Sequence, residues 1–157
     1  MKIKTNSFTI TQMPMNDNQN ELKNIYQKVY VDEQKIEKSL VFAHSSTENI
    51  KTFLLHFNNQ AVSTGRVRYI HDSNLAKIER MATIAEFRGY GFAKQILLHL
   101  INQIQSEYPI YQIMLHSQKS ANSFYEKLGW TKEGDEFMEA NILHQKYFFS
   151  GTRTGAK

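Results

Sequence analysis

At 157 residues, 41% hydrophobic and 22% charged, the chain has the length and composition of one globular domain around a single core. It has no cysteine, which excludes disulfides, thiolate metal sites and a cysteine nucleophile, and fits a reducing cytoplasm. The net charge of +4 is spread along the chain without a basic run, so a small anionic ligand is expected rather than a nucleic acid, and no segment reads as a signal peptide or a membrane span.

In chain order, "FTITQM" (Phe8–Met13) alternates weakly and predicts a first strand. Asn16, Asp17 and Asn18 are N-cap candidates for a helix in which Leu22, Ile25, Tyr26 and Val29 recur at helical spacing. Residues 35–49 show no clean period and read as a loop with room for a short helix. "KTFLLHF", the turn "NNQ" and "AVSTGRVRYI" predict a hairpin, and after the turn "HDSN" the run "AKIERMAT" adds a third strand. Phe92, Ile96, Leu97, Leu100, Ile101 and Ile104 then fall on one face of a long helix that Pro109 stops. "IYQIMLHS" has the apolar composition of an interior strand. Ser120 is placed to cap a short helix with Ala121, Phe124, Tyr125 and Leu128 on its face and Gly129 as its stop, and "HQKYFF" is a last strand.

This order predicts an α/β (α+β) domain over residues 1–150, with a small polar tail at 151–157. Antiparallel hairpins come first. A strand–helix–strand crossover then makes one parallel pair in the middle of a mixed sheet.

The segment "RGYGFAK" sits where the third strand hands over to the long helix. The first amides of a helix lack partners inside it and carry the positive end of its dipole. Gly89 and Gly91 remove Cβ atoms there, Ala93 keeps the next position small, and Arg88 adds a cation, which together suit a phosphate. Two glycines before a helix also serve as a plain tight turn. The loop is neither a G-K-S/T nucleotide loop nor a G-x-G-x-x-G loop, since Lys94 stands at the third glycine position. A metal centre is not expected, because the six histidines are far apart in sequence and have no cysteine partner. A serine hydrolase is not expected either, because G-x-S-x-G is missing.

Arg88, Gly91 and Ala93 match Q/R-x-x-G-x-G/A, and "SANSFYEKLGW" matches A-x-x-F/L-Y-E-K-x-G-F with Trp130 for the final phenylalanine. In these two blocks the chain resembles the GNAT superfamily of N-acetyltransferases. "VYVDEQ", "GRVR", "KIERMA", "LHSQ" and "GDEFMEANILH" extend the similarity, from about Val29 to His144, to its ElaA-like branch. Asn141 and Leu143 replace that branch's glycine and proline, Tyr147 stands where methionine is common, and "KIEKSLVFAH" replaces an acidic segment. These departures bear on the acceptor more than on the cofactor.

The resemblance implies a GNAT-type mixed, mostly antiparallel sheet flanked by helices, with a central parallel strand pair splayed to hold acyl-CoA. The strand before the glycine loop would carry a bulge. The pantetheine arm of acetyl-CoA would pair with the backbone of Met81, Ala82 and Thr83. Its pyrophosphate would sit on Arg88, Gly89, Tyr90, Gly91, Phe92, Ala93 and Lys94. Gln118 falls where an asparagine often touches the cofactor. The implied chemistry is direct attack of a primary amine, on a small molecule or an exposed amino group, upon the thioester. Tyr125 matches the acid that protects the leaving sulfur. Glu79, on the face of Met81 and Thr83 if the strand alternates regularly, is the candidate base, with His116 and His144 as rivals and Arg80 as a group able to neutralise it. Glu33 is placed to shape the acceptor pocket, and a solvated helix end explains it equally. A non-catalytic acyl-CoA sensor is the alternative function. Relatives of this kind pair through sheet edges or helices, which allows a homodimer.

Overall fold

The computed structural model describes residues 7–14, 19–43 and 48–151. The N-cap candidates Asn16, Asp17 and Asn18 and the tail beyond Gly151 lie outside them. The chain packs as two compact units, residues 1–66 with 80–100, and residues 67–79 with 101–157. Strands β3 (Gln60–Ile70) and β4 (Leu75–Thr83) and helix α3 (Phe92–Glu107) each run through a boundary between the two. The strand ladders follow the order β1-β2-β3-β4-β5-β7-β6.

In the first unit, β1 (Phe8–Gln12) pairs antiparallel with β2 (Ile50–Phe57). Helix α1 (Asn20–Tyr26) continues into a π-helical segment, Gln27–Glu33, so the single helix expected from the spacing changes its winding halfway. Its apolar positions are nonetheless the expected ones: Leu22, Ile25, Tyr26 and Val29 are buried, with Tyr30, Val41, Leu54, Ala61, Ala82 and Ile84, in one cluster. A four-residue helix α2 (Lys38–Val41) lies in the stretch read as a loop. The face expected of α3 is buried at every position from Phe92 to Ile104. Phe57 anchors its start, with ring centroids 5.2 Å from Phe92 and 6.2 Å from Phe87.

In the second unit, β4 and β5 (Gln112–Gln118) form the expected parallel pair, Leu75↔Gln112 through Ile78↔Leu115. Then β5 pairs antiparallel with β7 (Ile142–Phe149), and β7 with β6 (Trp130–Glu139). Strand β6 is a correction to the sequence reading, which passed from the short helix directly to the last strand. Apart from Trp130 and a half-buried Phe137 its residues are exposed, so it lacks the alternation that marks a strand. It is also irregular: its register slips between Glu133 and Phe137, and Gln145 donates from Nε2 to the carbonyls of Glu133 and Gly134 at 3.0 Å each. A second correction concerns Ser120. It lies within a 3₁₀ turn, Lys119–Ala121, and helix α4 (Asn122–Lys127) begins after Ala121 with no side-chain cap bond.

Candidate functional site

The backbone of β4 turns left-handed near its end, where the resemblance implies a bulge. Arg80 has φ of +58°, a left-handed conformation that interrupts regular alternation. Strand alternation therefore does not place Glu79 on the face of Met81 and Thr83. The Arg80 guanidinium lies over the rings of Tyr26 and Tyr30, 5.2 and 5.7 Å from their centroids, and donates to the Val41 carbonyl at 3.2 Å.

Beyond Arg80, side chains fasten three successive carbonyls. Tyr30 donates its hydroxyl to Met81 O at 2.8 Å, Ser63 Oγ donates to Ala82 O at 3.2 Å, and Arg88 Nε donates to Thr83 O at 3.0 Å. Ser63 Oγ also lies 2.8 Å from Thr83 Oγ1. Met81, Ala82 and Thr83 thus form a segment held by partners from the π-helix, β3 and the glycine loop. No sequence motif marks Tyr30 or Ser63 for this role. Tyr30 and Met81 are 51 residues apart, and no local signal links them.

In the loop itself, Gly89 has φ of +89° and Gly91 φ of +82°, which glycine adopts without strain. A Cβ built on either glycine meets nothing within 4 Å. The protein's own packing therefore leaves room in front of both. The first amide bonded within α3 is that of Gln95, to Gly91 O at 3.1 Å, so Phe92, Ala93 and Lys94 supply the helix's unpaired first-turn donors. Phe92 and Tyr90 contribute backbone here: the Phe92 side chain is buried, with the Tyr90 ring 5.8 Å away. Lys94 is exposed. The residues present fit a phosphate-bearing group at the mouth of α3.

Arg88 is placed at this loop, but its fork is engaged by Glu33, at 2.6 Å for each of two bonds. The hydrogen bond and charge of Arg88 hold the Glu33 carboxyl below its ordinary value. Glu33 is therefore a partner of the glycine loop rather than a free helix end.

The second unit carries the remaining expected residues. Tyr125 on α4 is buried, beside Phe124, Trp130 and Tyr147 at 5.0, 6.0 and 6.4 Å between centroids. Burial pushes its phenol well above the ordinary value near 10. Tyr147 is fully buried and donates to Glu126 Oε2 at 2.7 Å, fixing α4 against β7. Gln118 is half-buried on β5, opposite His144 of β7. Glu79 receives Arg68 Nε at 3.1 Å and Nη2 at 3.0 Å on Oε1, and Lys77 Nζ lies 3.8 Å from Oε2. Among the described residues no cluster of three or more His, Cys, Asp or Glu could hold a metal ion. Among them, too, no helix is long and apolar enough to cross a membrane.

A strand with a left-handed residue near its end, a bare-amide glycine loop, a helix and a parallel strand, in that order, define a known architecture. Residues 16–149 match the family described as Acetyltransferase (GNAT) domain, and the chain belongs to that family. It is 34% identical over 118 residues to the YyaT protein of Bacillus subtilis, covering 74% of this chain and 78% of YyaT. Its fold is similar to that of Escherichia coli ElaA, with a TM-score of 0.79 over 90% of this chain and 99% of ElaA at 16% identity. A Bacillus anthracis protein described as a streptothricin acetyltransferase, determined in complex with acetyl coenzyme A, matches with a TM-score of 0.64 at 18% identity, covering 93% of this chain and 99% of that one.

Proposed function

We propose that the protein transfers the acetyl group of acetyl-CoA to a primary amine, on a small molecule or at an exposed amino group, by direct attack. The observation that carries this reading is the mouth of α3, where Gly89 and Gly91 combine left-handed backbone with open space ahead of unpaired amides. There the backbone of residues 88–94 would hold the pyrophosphate. The backbone of Met81, Ala82 and Thr83, fixed by Tyr30, Ser63 and Arg88, would align the pantetheine arm. Acetyl-CoA supplies the activated acyl group.

Tyr125 holds its proton throughout the working range, because burial disfavours the phenolate. Its role in this reading is to donate a hydrogen bond to the departing thiolate. Complete proton transfer from so weak an acid to a thiolate is uphill. Gln118 is the further cofactor contact carried by the resemblance. The composition without cysteine supports a reducing cytoplasm as the setting.

Calorimetric titration with acetyl-CoA, with CoA and ATP as controls, tests the reading. Micromolar binding of acetyl-CoA, followed by thiol release when amines are added, is expected. A folded sample that takes up no acetyl-CoA would reduce the glycine loop to a turn.

A further inference from the structure

The second unit presents a row of ionisable side chains across one sheet face. Residues opposite each other in a ladder share a face, as do residues two apart in a strand. By the registers of β4, β5, β7 and β6, one face carries Lys77 and Glu79, then His116 and Gln118, then His144 and Lys146, then Phe137 and Glu139. Arg68 joins the row through Glu79. The buried Ala76, Ile78, Leu115 and Tyr147 occupy the opposite face.

His116 stands at the centre of this row. The β4–β5 ladder ends at Ile78↔Leu115, so Glu79 and His116 are the first residues of their strands beyond it. Glu139 bridges two imidazoles: Oε1 lies 3.4 Å from His116 Nδ1 and Oε2 lies 3.5 Å from His144 Nε2. The Phe137 ring packs against both, 4.8 Å from His116 and 5.9 Å from His144. His144 Nδ1 is 2.7 Å from the Ile142 carbonyl, which can only accept, so that nitrogen carries a hydrogen. His144 is thereby fixed in orientation with Nε2 toward the carboxylate. In His116 the carboxylate faces Nδ1, and with no carbonyl competing for the hydrogen among the described contacts of the ring it selects the tautomer with hydrogen on Nδ1, which leaves the lone pair on Nε2.

We propose that His116 is the proton acceptor for the attacking amine, with Glu139 as its positioning residue. The inference rests on the acetyltransfer reading above. In the step, the amine nitrogen forms its bond to the acetyl carbon and the carbon–sulfur bond breaks. The sulfur leaves as thiolate, and the amine's proton passes to His116 Nε2 and from there to solvent. Burial and the nearby Lys77 and Lys146 keep His116 below its ordinary value, while Glu139 opposes them, so the ring is neutral and able to accept at neutral pH. Glu139 puts a negative charge beside His116 that suits a cationic amine before it loses its proton.

Two measurements test this. Long-range proton–nitrogen NMR of the ¹⁵N-histidine-labelled protein at pH 7.5 should show His116 neutral with hydrogen on Nδ1, and Glu139→Gln should mix the tautomers. Hydrogen on Nε2 in the wild-type protein overturns the proposal whether or not an acceptor is known. Thiol release from acetyl-CoA with spermidine and with a free-N-terminal peptide supplies the kinetic arm. With an amine that turns over, His116→Gln should lower kcat about 10²-fold or more with acetyl-CoA affinity unchanged. Glu139→Gln should move the acid limb of the pH–rate profile down, and Lys77→Met should move it up. Unchanged kcat and acid limb in His116→Gln overturn the proposal while leaving acetyl-CoA binding, and so the broader reading, intact. Failure of the wild-type protein to bind acetyl-CoA overturns both.

Discussion

Arg88 and Glu33 meet fork to fork, Nη1 on Oε2 and Nη2 on Oε1, at 2.6 Å in each case. The pair ties the end of the π-helical segment to the loop that opens α3. Arg88 Nε holds the Thr83 carbonyl at the same time. One guanidinium therefore fixes three segments, and its charge is already met by a carboxylate.

Glu33→Gln releases that charge beside the glycine loop. CoA and acetyl-CoA should then bind more tightly, by up to about fivefold at low salt for a half-exposed pair, with the gain shrinking as salt is raised. Unchanged or weaker binding by calorimetry would mean that Arg88 serves only as a brace. The same pair has a pH signature. The folded Glu33 carboxyl sits below its ordinary value of 4.5, so its contribution is complete above that value and is lost as pH falls through the folded one. The stability difference between wild type and Glu33→Gln should be constant above about pH 5 and shrink below it.

Gly91→Glu should abolish acetyl-CoA binding. The substitution puts a bulky anion into the open space ahead of the amides, at a φ of +82°. It also strains the backbone by roughly 1–2 kcal/mol, so circular dichroism and thermal melting must first establish that the variant is folded. A folded Gly91→Glu protein that binds acetyl-CoA normally would show that the loop is only a turn.

The glycine loop and its helix were legible in the sequence because their causes are local: apolar residues at helical period, and glycines where the backbone turns left-handed. Family resemblance supplied the expectation of an irregular end to β4, where Arg80 turns left-handed, and no pattern in "KIERMAT" announces it. Strand β6 was not legible, because its exposed residues in "WTKEGDEFME" carry no alternation and its pairing is set by β7. Ser120 looked like a cap by residue type, yet a 3₁₀ turn takes its place. The partners that tie the site together were hidden for the same reason as β6. Tyr30 with Met81, Ser63 with Thr83, and Glu139 with His116 meet across elements that only the folded chain brings together. Sequence reading found individual groups such as Glu79 and His116. It could not see that Arg68 and Lys77 engage the first and Glu139 faces the second.

Gly65→Ala tests how tightly β3 is packed over the first part of α3. A Cβ at position 65 would lie 2.5 Å from Met81 Sδ, 2.8 Å from Ile96 Cγ2 and 2.9 Å from Leu100 Cδ1. Met81 is flexible, but the branched ends of Ile96 and Leu100 are fully buried. The variant should lose about 1–3 kcal/mol in chemical denaturation. Displacement of Met81 should also weaken acetyl-CoA binding if that segment aligns the cofactor. A variant as stable as wild type would show that the core gives way at no cost.

Tyr125→Phe separates the phenol from the ring. The ring contacts to Phe124, Trp130 and Tyr147 survive the change, so thermal stability and acetyl-CoA affinity should stay near wild type. Loss of the hydrogen bond to the leaving thiolate should lower kcat about 10- to 100-fold with the amine identified by thiol release. The pH dependence carries the sharper test. Burial raises the phenol well above its ordinary value near 10, so Tyr125 stays protonated across the enzyme's range and should impose no basic limb below pH 10. A basic limb near pH 9 in the wild type that disappears in Tyr125→Phe would mean that the phenol ionises during turnover and donates its proton outright.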